Sequence, residues 1–288
     1  MFFQHFKANI VNTIDLLRIK DWVKNILVFF PLIFSGNISN LNFYPSLIIT
    51  FFAFCTISSL IYIINDIKDI ELDKLHPIKK FTKPLASNKI KIQSAFIIII
   101  VLLLFLSCFL LLSNIILNHI ITYFILSSIY IFIIKKIVYL ELVFISFGYL
   151  IRLDVGSITI NITSSLLIII TTFSVSLFFI TLKRLSEMNH YMKNKIYTRK
   201  TLKYYSPQIL KVISYSCIII STVLLFFFTI TKNLLFFPLL ILFIIFSLRY
   251  QKFGFKTVYA EFPVNLILND KILITISIIT LFYIAIFF

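Results

Sequence analysis

"LIYIINDIKDIELDKLHPIKKFTKPLASNKIK", residues 60–91, changes character at its midpoint. An uncharged apolar run ends in four acidic residues, and a cluster of lysines follows at once. Charge is scarce elsewhere. Residues 25–65, 92–134, 155–182 and 272–288 contain no Asp, Glu, Lys or Arg. The first three tracts each exceed the ~20 residues that cross ~30 Å of hydrocarbon. The polar interruptions "SGNISNLN" and "SNIILNHI" divide the first two into two spans each. With 60% hydrophobic residues among 288 and a mean hydropathy of +1.03, only a bilayer offers enough apolar environment. The chain reads as an all-α integral membrane protein, one polytopic domain over residues 1–288.

About nine transmembrane helices follow from hydropathy, near 22–36, 43–65, 92–112, 116–134, 138–156, 164–183, 208–230, 234–249 and 272–288. Pro31 interrupts the first, which is expected to be broken or tilted. The runs are continuous rather than alternating, so no β-barrel is implied. Residues 1–21 lack the charge and cleavage pattern of a removed signal, and 6–17 read as an interfacial helix. Cys55, Cys108 and Cys217 fall in three different spans and read as small apolar residues, not as disulfides or metal ligands.

The net charge of +16 is unevenly placed. With nine spans, all 27 Lys and Arg except Lys232 and Arg152 fall on one side. The positive-inside rule makes that side cytoplasmic, with the N-terminus in and the C-terminus out. Orientation and contact with anionic lipid account for most of these lysines, and no soluble domain is left to bind nucleic acid. Chemistry belongs at the cytoplasmic face, in the segments 66–91 and 184–207.

Asp66, Asp69 and Asp73 are spaced i, i+3, i+7 and share one face of a helix continuing out of the second span, with Asn65 before them and Glu71 turned elsewhere. Three like charges on one face repel, more so near a bilayer. A divalent cation removes that cost, and hard oxygen ligands suit Mg2+ together with substrate phosphates. The alternative is a solvated helix end paired with Lys68, Lys74 or Lys79. Against it stand Lys79, Lys80 and Lys83 in a Pro-punctuated segment, since carboxylates for a metal beside cations for phosphate are what a diphosphate ester requires. His76 reads as a loop residue.

"NDIKDIELD" resembles the N-D-x-x-D-x-x-x-D motif of the UbiA-type intramembrane prenyltransferase superfamily. The resemblance implies a nine-helix bundle around a lipid-open cavity, with Mg2+-diphosphate at its cytoplasmic mouth. A second Asp-rich motif is usual between helices six and seven of that superfamily. Here "LKRLSEM" stands instead, and residues 156–261 contain no aspartate. Other stretches resemble the decaprenyl-phosphate phosphoribosyltransferase branch. The opening "LLRIKDWVKN" carries Arg18, Trp22, Lys24 and Asn25. "HPIKKFTKPLASN" has Lys83 where that branch has Arg and Asn88 where it has Gly. "YIFIIKKIVYLEL" keeps Tyr130 and Lys135 and has Glu141 in place of Asp. "GYLIRLDVGSITI", "KRLSEM" and "TRKTLKYYS" follow in the same order.

That branch transfers 5-phosphoribose from phosphoribosyl pyrophosphate to a polyprenyl phosphate, and a homo-oligomer is implied by the resemblance alone. Asp66, Asp69 and Asp73 are then the metal and catalytic carboxylates. Lys183, Arg184 and Arg199, or Lys24 and Lys135, are cations for the separate 5-phosphate. Asn25, Asn65 and Glu141 complete the expected binding residues. Arg152 is either functional or a structural charge, pairing with Asp154 or snorkelling. Glu187 either receives a donor hydroxyl or pairs with Arg184. Two rivals are a prenyltransferase acting on an aromatic or quinone-precursor acceptor and a transporter, and the nearly bare outer loops speak against the second.

Overall fold

The computed structural model describes residues 2–75, 79–194, 200–256 and 263–287, with side chains described except at 2–9, 190–194, 200, 256 and 263–265. All regular structure there is helical. Helix α1 (Phe2–Leu17) precedes a 3-10 segment, Ile19–Phe29, that runs into the short α2 (Phe30–Phe34). The expected first span is therefore a composite. Pro31 sits in the first turn of α2, where its missing N–H costs nothing. Its ring would clash with a carbonyl four residues earlier in a continuous α-helix, so the chain before it winds more tightly.

Helix α3 (Tyr44–Lys68) is the central post. Thirteen of its 25 residues are buried, including Thr50, Ser58 and Ser59, whose small side chains allow close neighbours. It leads into α4 (Ile70–Leu75), α5 (Lys79–Thr82) and then α6 (Ile92–Leu112). In α6 only Ala95 and Leu106 are buried, while Phe96, Ile97, Ile100, Leu103, Leu104 and Phe105 are exposed, as on a helix facing lipid. Helices α7 (Leu117–Phe132), α8 (Leu140–Thr159), α9 (Leu166–Asn194), α10 (Pro207–Lys232), α11 (Phe237–Lys256), α12 (Pro263–Asn269) and α13 (Lys271–Phe287) complete the bundle.

Seven helices among the described residues are long and apolar enough to cross a membrane. The other two segments expected to span are the composite first one and the 17-residue α13. The two expected cytoplasmic loops carry helical segments among their described residues. The first holds α4 and α5, and α9 continues to Asn194, which places Lys183, Arg184 and Glu187 on a helix.

Two close contacts set the positions of the site-bearing elements. Gly156 of α8 lies against the backbone of Val28, so the 3-10 segment packs directly on α8. Thr50 and Thr159 meet side chain to side chain at 3.1 Å, joining the far ends of α3 and α8.

Candidate active site

The three aspartates occupy a helix junction. Asp66 lies in the last turn of α3, Asp69 caps it, and Asp73 lies in α4. Helical hydrogen bonds bridge the break, from Asp69 N–H to Asn65 O at 3.0 Å and from Asp73 N–H to Asp69 O at 2.8 Å. The i, i+3, i+7 face survives, and the carboxylate-bearing residues are only 3%, 9% and 6% exposed. Glu71 points away, as expected, and pairs with Lys74 at 2.9 Å.

Each buried acid meets a cation, Asp73 from the segment that follows it and Asp66 and Asp69 also from far along the chain. Arg18 Nη2 donates to Asp66 Oδ1 at 2.5 Å. Lys83 Nζ bridges Asp66 Oδ1 at 2.8 Å and Asp73 Oδ2 at 2.5 Å. Lys135 Nζ bonds Asp69 Oδ2, and also Asn65 Oδ1 at 3.2 Å. The solvated helix end paired with Lys68 or Lys74 is not what forms. Lys68 instead reaches Ile131 O and the Phe132 ring. Lys80 lies over Phe81, and Lys79, the first residue of α5, accepts at its carbonyl from Lys83 N–H at 2.9 Å just past the helix end. Arg18 was visible in sequence only as part of the opening motif. It stands in the left-handed region at φ 52°, between α1 and the 3-10 segment, which turns the chain across the end of α3. Burial pulls against its charge, and Asp66 and then Asp21 hold it protonated.

The donor set matches Mg2+ in kind, being carboxylate oxygens with Asn65 alongside and no sulfur. In each carboxylate a single oxygen receives the contacts above. Among the described residues no three His, Cys, Asp or Glu side chains converge as a ready metal cage. The charge between Asp66 and Asp73 is supplied by Lys83.

Where a second acidic motif was sought, a closed cluster lies instead. Arg184 donates to Glu141 through Nε at 2.8 Å and Nη2 at 3.2 Å, and to both oxygens of Glu187 through Nη1 at 2.8 and 2.7 Å. All three are buried. Glu187 thus pairs with Arg184. Tyr205 OH donates to Glu141 at 2.8 Å, and Tyr130 OH to the same carboxylate at 3.3 Å. Burial and then the Glu141 carboxylate push the Tyr205 phenol well above the ordinary tyrosine value. Lys183 is half-buried beside this cluster on α9, and Arg199 and His76 lie outside the described residues.

A third group links Arg152 to the first segment. Arg152 is buried and hydrogen-bonds Asn25, Ser58, Tyr123 and the Gly148 carbonyl. It neither pairs with Asp154 nor snorkels outward, which corrects both structural alternatives. Asp154 is exposed and bonds His119 at 3.0 Å. Lys24 pairs with Asp21 at 2.6 Å and, with Arg18, flanks the ring of Tyr62.

The model of the UbiA prenyltransferase family matches residues 27–261. The chain belongs to that family. Among curated relatives, a decaprenyl-phosphate phosphoribosyltransferase of Corynebacterium glutamicum is 31% identical over 204 residues, covering 69% of this chain and 61% of that protein. Its counterpart in Mycobacterium tuberculosis is 28% identical over 211 residues, covering 71% and 69%. A solved UbiA homologue from Archaeoglobus fulgidus, bound to DMAPP and Mg2+, superposes with a TM-score of 0.69 at 16% identity over 94% of this chain and 96% of that one. The UbiA fold is thereby shown, and the site geometry above belongs to this family member.

Proposed function

We propose that this UbiA family member is a membrane-embedded transferase that moves 5-phosphoribose from phosphoribosyl pyrophosphate to a polyprenyl phosphate, releasing pyrophosphate at the cytoplasmic face. The observation that carries the reading is the Glu141–Arg184–Glu187 cluster. Both oxygens of each of its carboxylates accept from one guanidinium, whereas in each aspartate of the first motif the cations engage a single oxygen, so a second metal for a prenyl diphosphate meets no comparable acidic pair. The names of the corynebacterial and mycobacterial relatives agree with this choice.

In this reading Asp66, Asp69 and Asp73 would hold Mg2+, and the chemistry that ion would supply is charge neutralisation of the pyrophosphate leaving group. Lys83, Arg18 and Lys135 turn from the acids to pyrophosphate oxygens, aided by Lys79 and Lys80. Asn65 orients Lys135. The bond from ribose C1 to pyrophosphate breaks as an acceptor phosphate oxygen bonds C1, through an oxocarbenium-like state. The acceptor is already an anion, so positioning and electrostatics suffice without a strong general base. Lys24, released from Asp21, together with Lys183 and Arg199 would meet the other phosphates, and Tyr130 steadies Glu141.

The test supplies purified protein with labelled phosphoribosyl pyrophosphate, polyprenyl phosphate and Mg2+, and in parallel with a labelled prenyl diphosphate and 4-hydroxybenzoate. Labelled lipid in the first set alone is expected, and product in only the second overturns the reading. Asp66→Ala is expected to lower turnover roughly 100- to 1000-fold, the scale seen when one preorganised electrostatic group is removed. Near-normal Mg2+-dependent turnover by this variant would remove Asp66 from the mechanism.

A further inference from the structure

Arg152 is the anomaly of the bundle interior. It is 3% exposed, and its partners are Asn25 Oδ1 at 2.6 Å, Gly148 O at 2.6 Å, Tyr123 OH at 2.7 Å and Ser58 Oγ at 3.3 Å. Every one of these is neutral. A guanidinium does not give up its proton in a protein, so a full positive charge is held in the bundle against the cost of its desolvation. Arg184, also buried, has two carboxylates. Stacking over Tyr123 and Tyr149, at 4.6 and 5.7 Å, softens the isolation of Arg152 without cancelling it. Four of its five N–H groups have acceptors among the described residues, and one Nη1 hydrogen has none. Gly148 leaves room beside that same nitrogen, since a Cβ there would stand 3.5 Å from Nη1. A purely structural tie between the 3-10 segment, α3, α7 and α8 would need only the hydrogen bonds. A neutral amide could supply several of them without the buried charge.

Its placement adds the second half of the argument. Ser58 lies eight residues before Asp66 on α3, which is about 12 Å deeper along the helix. Tyr62 lies between the two in sequence, flanked by Arg18 and Lys24. Cations thus descend one side of α3 from the acids to Arg152. We infer that Arg152, steadied by Asn25, Ser58 and Tyr123, is the anchor of a subsite for a phosphate monoester, bound about 12 Å deeper along α3 than the three aspartates. The inference rests on the phosphoribosyl-transfer reading, in which both substrates carry such a group. One is the 5-phosphate of the donor and the other is the phosphate of the lipid acceptor.

Ribose 5-phosphate and farnesyl phosphate are the two probes, each titrated into detergent-purified protein without Mg2+ and followed calorimetrically. Wild type is expected to bind at least one, and Arg152→Gln to weaken that binding roughly 10- to 100-fold, the equilibrium factor of a lost charge-assisted hydrogen bond. Arg152→Lys is expected to recover part of the affinity. Selective weakening of ribose 5-phosphate assigns the donor's phosphate, selective weakening of farnesyl phosphate assigns the acceptor's, and weakening of both means that phosphate alone is read. If Arg152→Gln does not fold, Tyr123→Phe removes one hydrogen bond that aims the guanidinium, and a several-fold loss of affinity is expected. Unchanged affinity for both probes in the folded variants, or no binding of either by wild type, overturns the subsite. Those results alongside intact phosphoribosyl transfer reject this inference alone, whereas transfer of an isoprenoid instead rejects the functional reading beneath it.

Discussion

Arg184 holds two carboxylates in place, and Tyr205 supplies a further hydrogen bond to one of them. Its phenol is raised by burial and by Glu141, so the protonated form is favoured by folding. The stabilisation is then fully present below the unfolded tyrosine value of about 10, and it is lost as pH rises through the higher folded value. Tyr205→Phe is expected to be less stable than wild type by about 1–3 kcal/mol, the cost of leaving a buried acceptor short of a donor. Denaturation curves for the two proteins should keep a constant separation from pH 7 to about 10 and converge only above it. A separation that closes below pH 9 would show that the phenol is not raised. Sequence spacing alone placed Asp66, Asp69 and Asp73 on one face, because a helical period is local. Their partners Arg18 and Lys135 come from 48 and 66 residues away. No spacing rule reaches that far, and Arg18 and Tyr205 were accordingly missed as members of the two clusters.

At the scale of elements, glycine separates a contact between backbones from one between flexible side chains. A Cβ at Gly156 would lie 2.1 Å from the Val28 carbonyl oxygen, on a segment whose backbone cannot retreat without unwinding. A Cβ at Gly254 of α11 would meet first the Leu182 side chain, whose Cδ2 at 2.9 Å can rotate while its Cβ at 3.1 Å must give by a few tenths of an ångström. Gly156→Ala is therefore expected to destabilise the protein by at least ~3 kcal/mol, at or above the upper end of ordinary overpacking. Gly254→Ala should cost less, about 1–2 kcal/mol, because a side chain can partly give way and the helix propensity gained by alanine offsets part of the crowding. Thermal unfolding in detergent checks the order, and equal losses at the two positions would contradict the packing described. Hydropathy located most helices because lipid-facing residues must be apolar throughout. It mislocated their ends for an equally physical reason. Hydrogen bonding within a helix is indifferent to where the bilayer stops, so α9 runs on past its apolar stretch to Asn194. The composite first segment was signalled by Pro31, but its close approach to Gly156 of α8 is a tertiary contact that no local pattern records.

For the molecule as a whole, charge asymmetry and the post of α3 make one connected claim about orientation. Composition marked a membrane protein at once. Which helices lie inside the bundle was less legible, because a bilayer accepts apolar residues as readily as a protein core does. The strongly apolar α6 is largely exposed, while α3, with its Ser and Thr residues, is buried. Asn40 precedes α3 and Lys89 follows its far end, both exposed, and a 25-residue helix stands between them. That length is about 37 Å, enough to separate the two faces of a bilayer. The Lys89 end carries the buried acids and their cations, whereas on the nine-span reading the opposite face carries only Lys232 among the basic residues. With Cys55, Cys108 and Cys217 replaced by alanine, Asn40→Cys is expected to react with a membrane-impermeant maleimide in right-side-out vesicles, and Lys89→Cys only in inside-out ones. The reverse pattern would put the carboxylates on the outer face, where a soluble phosphorylated donor from the cytoplasm could not reach them. Reaction of both positions from one side would mean that α3 does not traverse the bilayer, and the central post of this fold would have to be redrawn.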